Sequence, residues 1–129
     1  MKRLLALLVT TAVAVSAYAA SEFADISVKD VDAAAMAKSA VIIDVNGTKS
    51  YNAGHVPTAL NYEAIKDNLA ASLPADKDTP IIAYCGSPKC GAYKKAAKAA
   101  RELGYKNIKH MSAGIAGWKE AGMKTESAN

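Results

Sequence analysis

The sequence has few of the residues that build metal sites or structural disulfides. Its 129 residues include two cysteines and two histidines, and these lack the paired spacing of a zinc site. The cysteines, Cys85 and Cys90, are close neighbours, and a disulfide across so short a loop removes little entropy from the unfolded chain. We therefore expect no metal and no cofactor. If the two cysteines pair, we expect a redox feature of their loop rather than a structural staple.

The excess of basic over acidic residues is also small. The formal net charge is +4, but Lys2 and Arg3 lie in a segment that we expect to be removed. Without them, 14 basic residues face 12 acidic ones. So small an excess argues against nucleic acid and against a charged membrane surface as partners.

Long apolar runs are absent after the N-terminus. Met1-Lys2-Arg3 precedes an apolar stretch that ends in Ala17-Tyr18-Ala19, a small-x-small pattern. This predicts a secretory signal peptide over residues 1–19, and an uncleaved anchor is the alternative. The apolar run is shorter than the roughly 20 residues of a spanning helix. We expect residues 20–129 to form one exported domain, in a periplasm or secreted, with no membrane span after cleavage.

Short apolar runs alternate with helical patterns along the rest of the chain. The predicted strands are residues 26–28, 41–45, 59–61, 81–84 and 107–111, and the predicted helices are residues 31–38, 63–71, 92–103 and 113–121. Asp30 is the expected cap of the first helix, and residues 51–57 are predicted as a loop. This alternation predicts an α/β fold with a mainly parallel sheet.

The most informative stretch joins the apolar run Ile81–Tyr84 to the following helix. Cys85 comes directly after the strand, so its thiol faces the N-terminus of the helix. Unpaired N–H groups and the positive end of the helix dipole favour a thiolate at that place. Cys85 is therefore the predicted nucleophile, and the alternative is a buried, unreactive thiol.

Four stretches, taken together and in order, resemble the rhodanese-like sulfurtransferases. They are Val41-Ile42-Ile43-Asp44-Val45, then Tyr51-Asn52-Ala53-Gly54-His55-Val56-Pro57-Thr58-Ala59-Leu60-Asn61, then Tyr84-Cys85 with its loop, and finally Gly114-Ile115-Ala116-Gly117-Trp118-Lys119-Glu120-Ala121-Gly122. The resemblance covers roughly residues 26–124. It implies a single rhodanese-like domain with a five-stranded sheet that helices flank on both faces.

The resemblance also implies an enzyme that moves sulfane sulfur. In such chemistry the Cys85 thiolate takes sulfur from thiosulfate or polysulfide as a persulfide and passes it to a thiol or cyanide acceptor. The partners would be a small sulfur donor, a thiol acceptor and a periplasmic protein. The active-site loop would be Gly86, Ser87, Pro88, Lys89, Cys90 and Gly91, whose backbone N–H groups, except that of Pro88, form a cradle for the anionic sulfur.

Arginine is absent from two places where the family often carries it. Asn46 follows the Asp-Val strand end, and Cys90 stands in the loop; Arg101 is the single arginine after the signal peptide. Lys89 is the candidate anion contact, against the alternative of a surface lysine. A cysteine phosphatase, which related folds include, needs an arginine where this chain has Gly91, so that activity is excluded.

Several other residues have two interpretations. Cys90 is either a resolving thiol that forms a disulfide with Cys85 or a bystander. Asp44 either orients the loop by accepting its N–H groups or caps a turn. We expect His55 to be a structural hydrogen-bonding residue, His110 to be at the surface and Trp118 to be in the core.

Three functions follow. The first is an exported sulfurtransferase with a Cys85 persulfide. The second is a thiol redox protein that cycles a Cys85–Cys90 disulfide, and the third is a non-catalytic module that carries sulfur or binds a partner.

Overall fold

The computed structural model describes residues 22–128 and centres on a five-stranded parallel sheet. The strands are β1 (Ala24–Asp25), β2 (Val41–Asp44), β3 (Leu60–Asn61), β4 (Ile81–Tyr84) and β5 (Ile108–His110). Their order across the sheet is β1-β5-β4-β2-β3, and every pairing is parallel. The α/β fold with a mainly parallel five-stranded sheet is confirmed. The predicted signal peptide, residues 1–19, lies outside the described residues.

The described chain has six helices, of which five lie between strands and the sixth follows β5. They are α1 (Val28–Ala37), α2 (Thr48–Ala53), α3 (Tyr62–Ile65), α4 (Leu69–Ser72), α5 (Tyr93–Glu102) and α6 (Gly114–Glu120), and a 3₁₀ turn, Lys66–Asn68, lies between α3 and α4. Parallel strands cannot be joined by tight turns, so each crossover needs room for such a helix. Among residues 22–128, no helix has the length and apolar character needed to span a bilayer.

The two central strands form because their residues are apolar on both faces. β2 and β4 pair in register from Val41 with Ile81 to Asp44 with Tyr84. Ile42, Ile43 and the whole of β4 are buried. Continuous apolar runs are typical of strands that are covered on both sides. The register places the ends of β2 and β4 side by side, so Asp44 and Cys85 lie at the same edge of the sheet.

Side chains of alternate strand residues point into two cores, one on each face of the sheet. Ile43, Ile81 and Ala83 pack against α5, and this core also contains Leu69 and Leu73. Ile42, Ile82 and Tyr84 pack on the other face, where Val31 of α1 and Trp118 of α6 lie. Helices therefore flank both faces, as predicted.

The beginning of the chain differs from the sequence prediction. Residues 26–28 were predicted as a strand, but the strand is Ala24–Asp25 and α1 already begins at Val28. Ser27 caps this helix, since its Oγ accepts the Asp30 N–H at 3.1 Å. Asp30 is thus in the first turn and is not the cap.

Two helical segments also differ from prediction. Residues 48–53 form α2 although no residue in it is buried, so an apolar pattern could not reveal it. Residues 63–71 form two short helices with a 3₁₀ turn between them, because the backbone at Asn68 (φ −138°) departs from helical geometry. The predictions for α5 and α6 were correct to within one residue at each end.

A C-terminal tail, residues 123–128, returns across the molecule to α2. His55 and Glu126 exchange two backbone hydrogen bonds of 2.9 Å, and the Trp118 indole donates to the Lys124 carbonyl at 2.8 Å. A methyl group on Gly54 would come within 3.3 Å of Thr125 Oγ1. The tail thus fixes the His55 segment against the end of α6.

Candidate active site

The loop between β4 and α5, residues 85–92, contains both cysteines. Cys85 is 1% exposed and lies on the α5 side of the sheet. Cys90 is half-buried, and its sulfur is joined to that of Cys85 in a disulfide, with Cα atoms 6.2 Å apart. That separation lies in the ordinary range for disulfides. The structure therefore brings together the predicted nucleophile and the predicted resolving thiol.

The other loop residues surround the disulfide. Gly86 and Ser87 are half-buried, whereas Pro88, Lys89 and Gly91 are exposed. Of the loop N–H groups predicted to form a cradle, that of Cys90 donates to the Ser87 carbonyl at 3.0 Å. Ala92, at the N-cap of α5, has no side-chain acceptor for the first-turn N–H groups. The loop thus curls over Cys85 in front of a helix N-terminus.

The first turn of α6 holds the start of the loop. Ile115 N–H donates to the Cys85 carbonyl at 2.9 Å, and Ala116 N–H donates to the Gly86 carbonyl at 3.0 Å. This contact requires glycine at position 114, where φ is +65° and a methyl group would lie 2.6 Å from the Gly86 carbonyl carbon. The Gly114–Trp118 stretch thus places the Cys85 backbone through the N-terminus of α6.

Asp44 supports the loop from below through a buried chain of hydrogen bonds. Val56 N–H donates to the Tyr84 hydroxyl at 3.0 Å, and that hydroxyl donates to Asp44 Oδ2 at 2.5 Å. Asp44 Oδ1 accepts the Asn46 N–H at 2.8 Å. Burial raises the pKa of Asp44, while the hydrogen bond from Tyr84 acts in the opposite direction. Asp44 therefore caps its own turn and fixes Tyr84, the residue before Cys85.

His110 was predicted at the surface, but it is 6% exposed. Side chains of a strand alternate in direction, so His110 lies on the same face of β5 as Ile108, while Lys109 between them is exposed on the other. Its ring stacks on Tyr93, with centroids 3.3 Å apart, and its Nε2 is buried without a hydrogen-bond partner. Burial lowers the pKa of His110; the charge of Asp25 opposes this shift, and that of Lys94 adds to it.

A cleft of about 310 Å³ opens between the loop and the end of β5. Its walls are loop residues 88–91, Tyr93 and Lys94 of α5, and His110 with Ser112. Sequence reasoning missed Tyr93, Lys94, His110 and Ser112 as site residues. The carboxyl ends of parallel strands meet at one edge of a sheet, so the position of His110 at the end of β5 was the signal that could have found it.

Two other predictions are confirmed. His55 is 5% exposed, its Nδ1 lies 2.8 Å from the Tyr51 carbonyl, and its ring stacks on Tyr51. Trp118 is fully buried in the core. Within residues 22–128, His, Cys, Asp and Glu side chains form no cluster of three or more suited to a metal ion.

A sequence model of the Rhodanese-like domain matches residues 27–121 of the chain. The chain belongs to the rhodanese-like family. The resemblance of the four stretches is thereby confirmed, and the matched region runs from the α1 cap to the end of α6. The residues before Ser27 and the C-terminal tail lie outside the match.

Two curated relatives match this rhodanese-like chain, and the match covers very different shares of their own lengths. Thiosulfate sulfurtransferase GlpE of Shewanella oneidensis is 30% identical over 102 residues, which are 78% of this chain and 97% of that protein. The HTH-type transcriptional regulator Rv0324 of Mycobacterium tuberculosis is 33% identical over 87 residues, 66% of this chain. The chain spans only 37% of that regulator. The rhodanese-like unit thus occurs both alone and as part of a longer protein.

Solved structures agree with this assignment. The rhodanese-like domain of the Anabaena protein Alr3790 has a TM-score of 0.64 at 23% identity, covering 81% of this chain and 79% of that one. Thiosulfate sulfurtransferase from Pseudomonas aeruginosa has a TM-score of 0.66 at 25% identity, covering 81% of this chain and 20% of that one. Both share the rhodanese-like fold with this chain.

Proposed function

We propose that this rhodanese-like protein is an exported sulfurtransferase that carries sulfane sulfur on Cys85. The observation that carries the proposal is the position of Cys85, at the carboxyl end of β4 in a loop that closes onto the N-terminus of α5. Membership of the family and the similarity to a thiosulfate sulfurtransferase support it. Export rests on the N-terminal sequence, Met1 to Ala19.

The proposed reaction starts from the reduced loop and has two steps. The Cys85 thiolate attacks the outer sulfur of thiosulfate, releasing sulfite, or a terminal sulfur of a polysulfide, releasing the chain shortened by one sulfur. Cys85 then carries a persulfide. An acceptor thiolate attacks the outer persulfide sulfur, takes it away as a new persulfide and regenerates the Cys85 thiolate. This is covalent catalysis, in which one difficult transfer is divided into two easier ones.

The loop supplies modest positive charge for an anionic donor. Lys89 is exposed on the loop, and Lys94, the second residue of α5, lies on the wall of the same cleft. Neither is an arginine, so neither can make planar, bidentate hydrogen bonds to the oxygens of thiosulfate. We propose polysulfide as a better donor than thiosulfate for this reason.

Mass spectrometry of the reduced mature protein tests the proposal directly. After exposure to polysulfide or thiosulfate, Cys85 should gain one sulfur atom and should lose it again when a thiol acceptor is added. Cys90→Ser should still load sulfur, and Cys85→Ser should not. If Cys85 in the Cys90→Ser protein stays unmodified with both donors, the sulfurtransferase proposal is wrong.

The disulfide favours a second candidate, a thiol redox protein that cycles between Cys85–Cys90 and two thiols. Cys90→Ser separates the two functions, because sulfur transfer keeps its turnover without Cys90 and a dithiol cycle loses it. The third candidate, a non-catalytic module, requires that the cellular function survive Cys85→Ser.

A further inference from the structure

The two sulfurs of the disulfide differ in accessibility. Cys85 is 1% exposed and packs in the core beneath the loop, whereas Cys90 is half-buried and forms part of the cleft wall. A thiolate that opens a disulfide attacks one sulfur and expels the other, and access helps to decide which sulfur is attacked. Of the two cysteines, Cys90 lines the cleft and Cys85 does not, so we expect a small molecule in the cleft to reach the sulfur of Cys90. Cys85 is then the leaving group.

The same cleft contains an unused base. His110 lines it, is more than nine-tenths buried and has an Nε2 without a partner. Stacking on Tyr93 fixes the ring. Buried polar atoms are nearly always hydrogen-bonded, so a nitrogen without a partner, on a residue that lines the same cleft as Cys90, calls for an explanation. A proton donor that enters the cleft would supply the missing partner.

Burial, together with the charges around His110, decides its protonation. Asp25 of β1 is its partner in the sheet register and accepts the Ser112 N–H at 3.0 Å. Lys94 lies on α5, Lys89 lies on the loop, and the β4 neighbour is the uncharged Ala83. Burial and Lys94 outweigh Asp25, so the pKa of His110 is lowered. The imidazole is therefore neutral at pH 7, which is the form that can accept a proton.

We propose that a small anionic thiol binds in this cleft, gives its proton to His110 Nε2 and attacks Cys90 Sγ, so that Cys85 is released as a thiolate. The cleft volume of about 310 Å³ suits a small molecule. Lys89 and Lys94 favour one that carries a carboxylate. The inference goes beyond sulfur transfer, because it assigns the reductive step that frees Cys85 for either chemistry.

The electrons balance with two thiols. The first forms a mixed disulfide with Cys90 while the Cys85–Cys90 bond breaks. A second thiol attacks the sulfur of the bound first thiol and leaves with it as an oxidised pair, and Cys90 departs and takes the proton held by His110. The proton of the second thiol passes to Cys85 or to solvent. Two thiols are oxidised to one disulfide, and the protein disulfide is reduced to two thiols.

Trapping identifies which sulfur is attacked. The oxidised mature protein is mixed with thioglycolate and quenched at early times with N-ethylmaleimide. Trypsin cleaves after Lys89 and so separates the two cysteines into different peptides. We expect thioglycolate on Cys90 and maleimide on Cys85 as the predominant intermediate. The reverse pattern, or equal amounts of the two, would overturn the proposal.

The pH profile tests His110. In the natural protein the rate of disulfide reduction should fall less steeply than the thioglycolate thiolate concentration as pH is lowered from 9 to 6.5, since His110 makes the un-ionised thiol usable. In His110→Gln the rate should follow the thiolate concentration and be roughly 10²-fold lower at pH 6.5, the range of general-base effects. The two rates should converge at high pH. A uniform loss at every pH would show a structural role and refute the base.

Charge selection has its own matched pair of variants. Rates per thiolate should decrease from thioglycolate to 2-mercaptoethanol to cysteamine, and Lys94→Gln should compress this range several-fold. Lys98→Gln is the control, because Lys98 lies one turn further along α5 and pairs with Glu22 at 3.8 Å. Equal rates for the three thiols would overturn the anionic preference. Sulfur loading of Cys90→Ser, which has no disulfide, reports separately on the sulfurtransferase proposal.

Discussion

At the scale of single residues, the site depends on polar groups that have no access to water. The Tyr84 hydroxyl is both donor and acceptor, because it accepts a hydrogen bond from the Val56 N–H and donates one to Asp44. The two strand ends are thereby tied to the segment that precedes β3. Burial and the adjacent Asp44 charge both raise the pKa of Tyr84, so the phenol keeps this proton at neutral pH.

Tyr84→Phe should lower the free energy of unfolding by about 1–3 kcal/mol, because it leaves a buried N–H and a buried carboxylate oxygen without their partner. Urea unfolding measures the change. Tyr62→Phe is the matched control, since the Tyr62 hydroxyl makes a long, exposed contact of 3.4 Å with the Lys95 carbonyl. Equal losses in the two variants would show that the buried chain does not stabilise the fold.

His110 makes stability depend on pH on the acid side. Its pKa is lower in the folded than in the unfolded protein, so the unfolded chain binds more protons between the two values. Stability should therefore fall as pH drops below about 6.5 and stop falling from this cause once the folded protein also binds the proton. The difference in unfolding free energy between the natural protein and His110→Gln, followed from pH 7.5 to 5, isolates this effect. A difference that does not vary with pH would contradict it.

At the scale of elements, α6 and the active-site loop behave as one unit. In the first turn of α6, two backbone N–H groups, those of Ile115 and Ala116, donate hydrogen bonds to the carbonyls of Cys85 and Gly86. Groups at a helix N-terminus have no partner within the helix, so this contact satisfies both sides. The loop cannot shift away from α6 without breaking two hydrogen bonds.

Gly114→Ala tests the contact. Both Gly114 and Gly122 have positive φ, +65° and +75°, but a methyl group meets Gly86 at the first and nothing within 4 Å at the second. Gly122→Ala should cost about 1–2 kcal/mol from backbone strain alone. Gly114→Ala should cost more and should also lower the rate at which Cys85 loads sulfur. Similar effects of the two substitutions on sulfur loading would refute the coupling of α6 to the loop.

At the scale of the whole molecule, the tail beyond the family match closes the fold. Residues 123–128 pair with His55 and accept a hydrogen bond from the Trp118 indole N–H. The Ala128 N–H also donates to the Asn52 carbonyl. They link α6 to α2, two elements that are far apart in sequence. The tail is therefore part of the folded unit and not an appendage.

Removal of residues 123–129 should lower the free energy of unfolding by about 2–6 kcal/mol, at 0.5–1.5 kcal/mol for each of the four hydrogen bonds named above. It should also change the fluorescence of Trp118, the only tryptophan of the chain. Lys124→Ala is the control, because the backbone carbonyl of Lys124 and not its side chain accepts the indole proton. A truncated protein as stable as the control would contradict this account.

The sequence predicted what depends on apolar pattern and missed what depends on contacts between distant residues. The runs Val41–Val45 and Ile81–Tyr84 predicted the central strands, and Trp118 was correctly placed in the core. Helix α2 could not be predicted this way, because it is held by Tyr51, whose hydroxyl donates to Ala59 at 2.6 Å and whose ring stacks on His55. His110 was wrongly predicted at the surface. The strand has only three residues, so the direction of the His110 side chain follows only once Ile108 is known to face the core.

The pairing of β1 with β5 also sets the order in which the chain can fold. β1 is an edge strand with β5 as its sheet neighbour, through Ala24 with Lys109 and Asp25 with His110. The first described strand therefore cannot pair until the last one, β5, is present, and contacts between residues so distant in sequence form slowly. At a synthesis rate of about 5–20 residues per second, the edge of the sheet stays open until nearly the whole chain exists. That delay suits the export that we propose, because a chain whose sheet is not yet closed can still be threaded through a membrane channel.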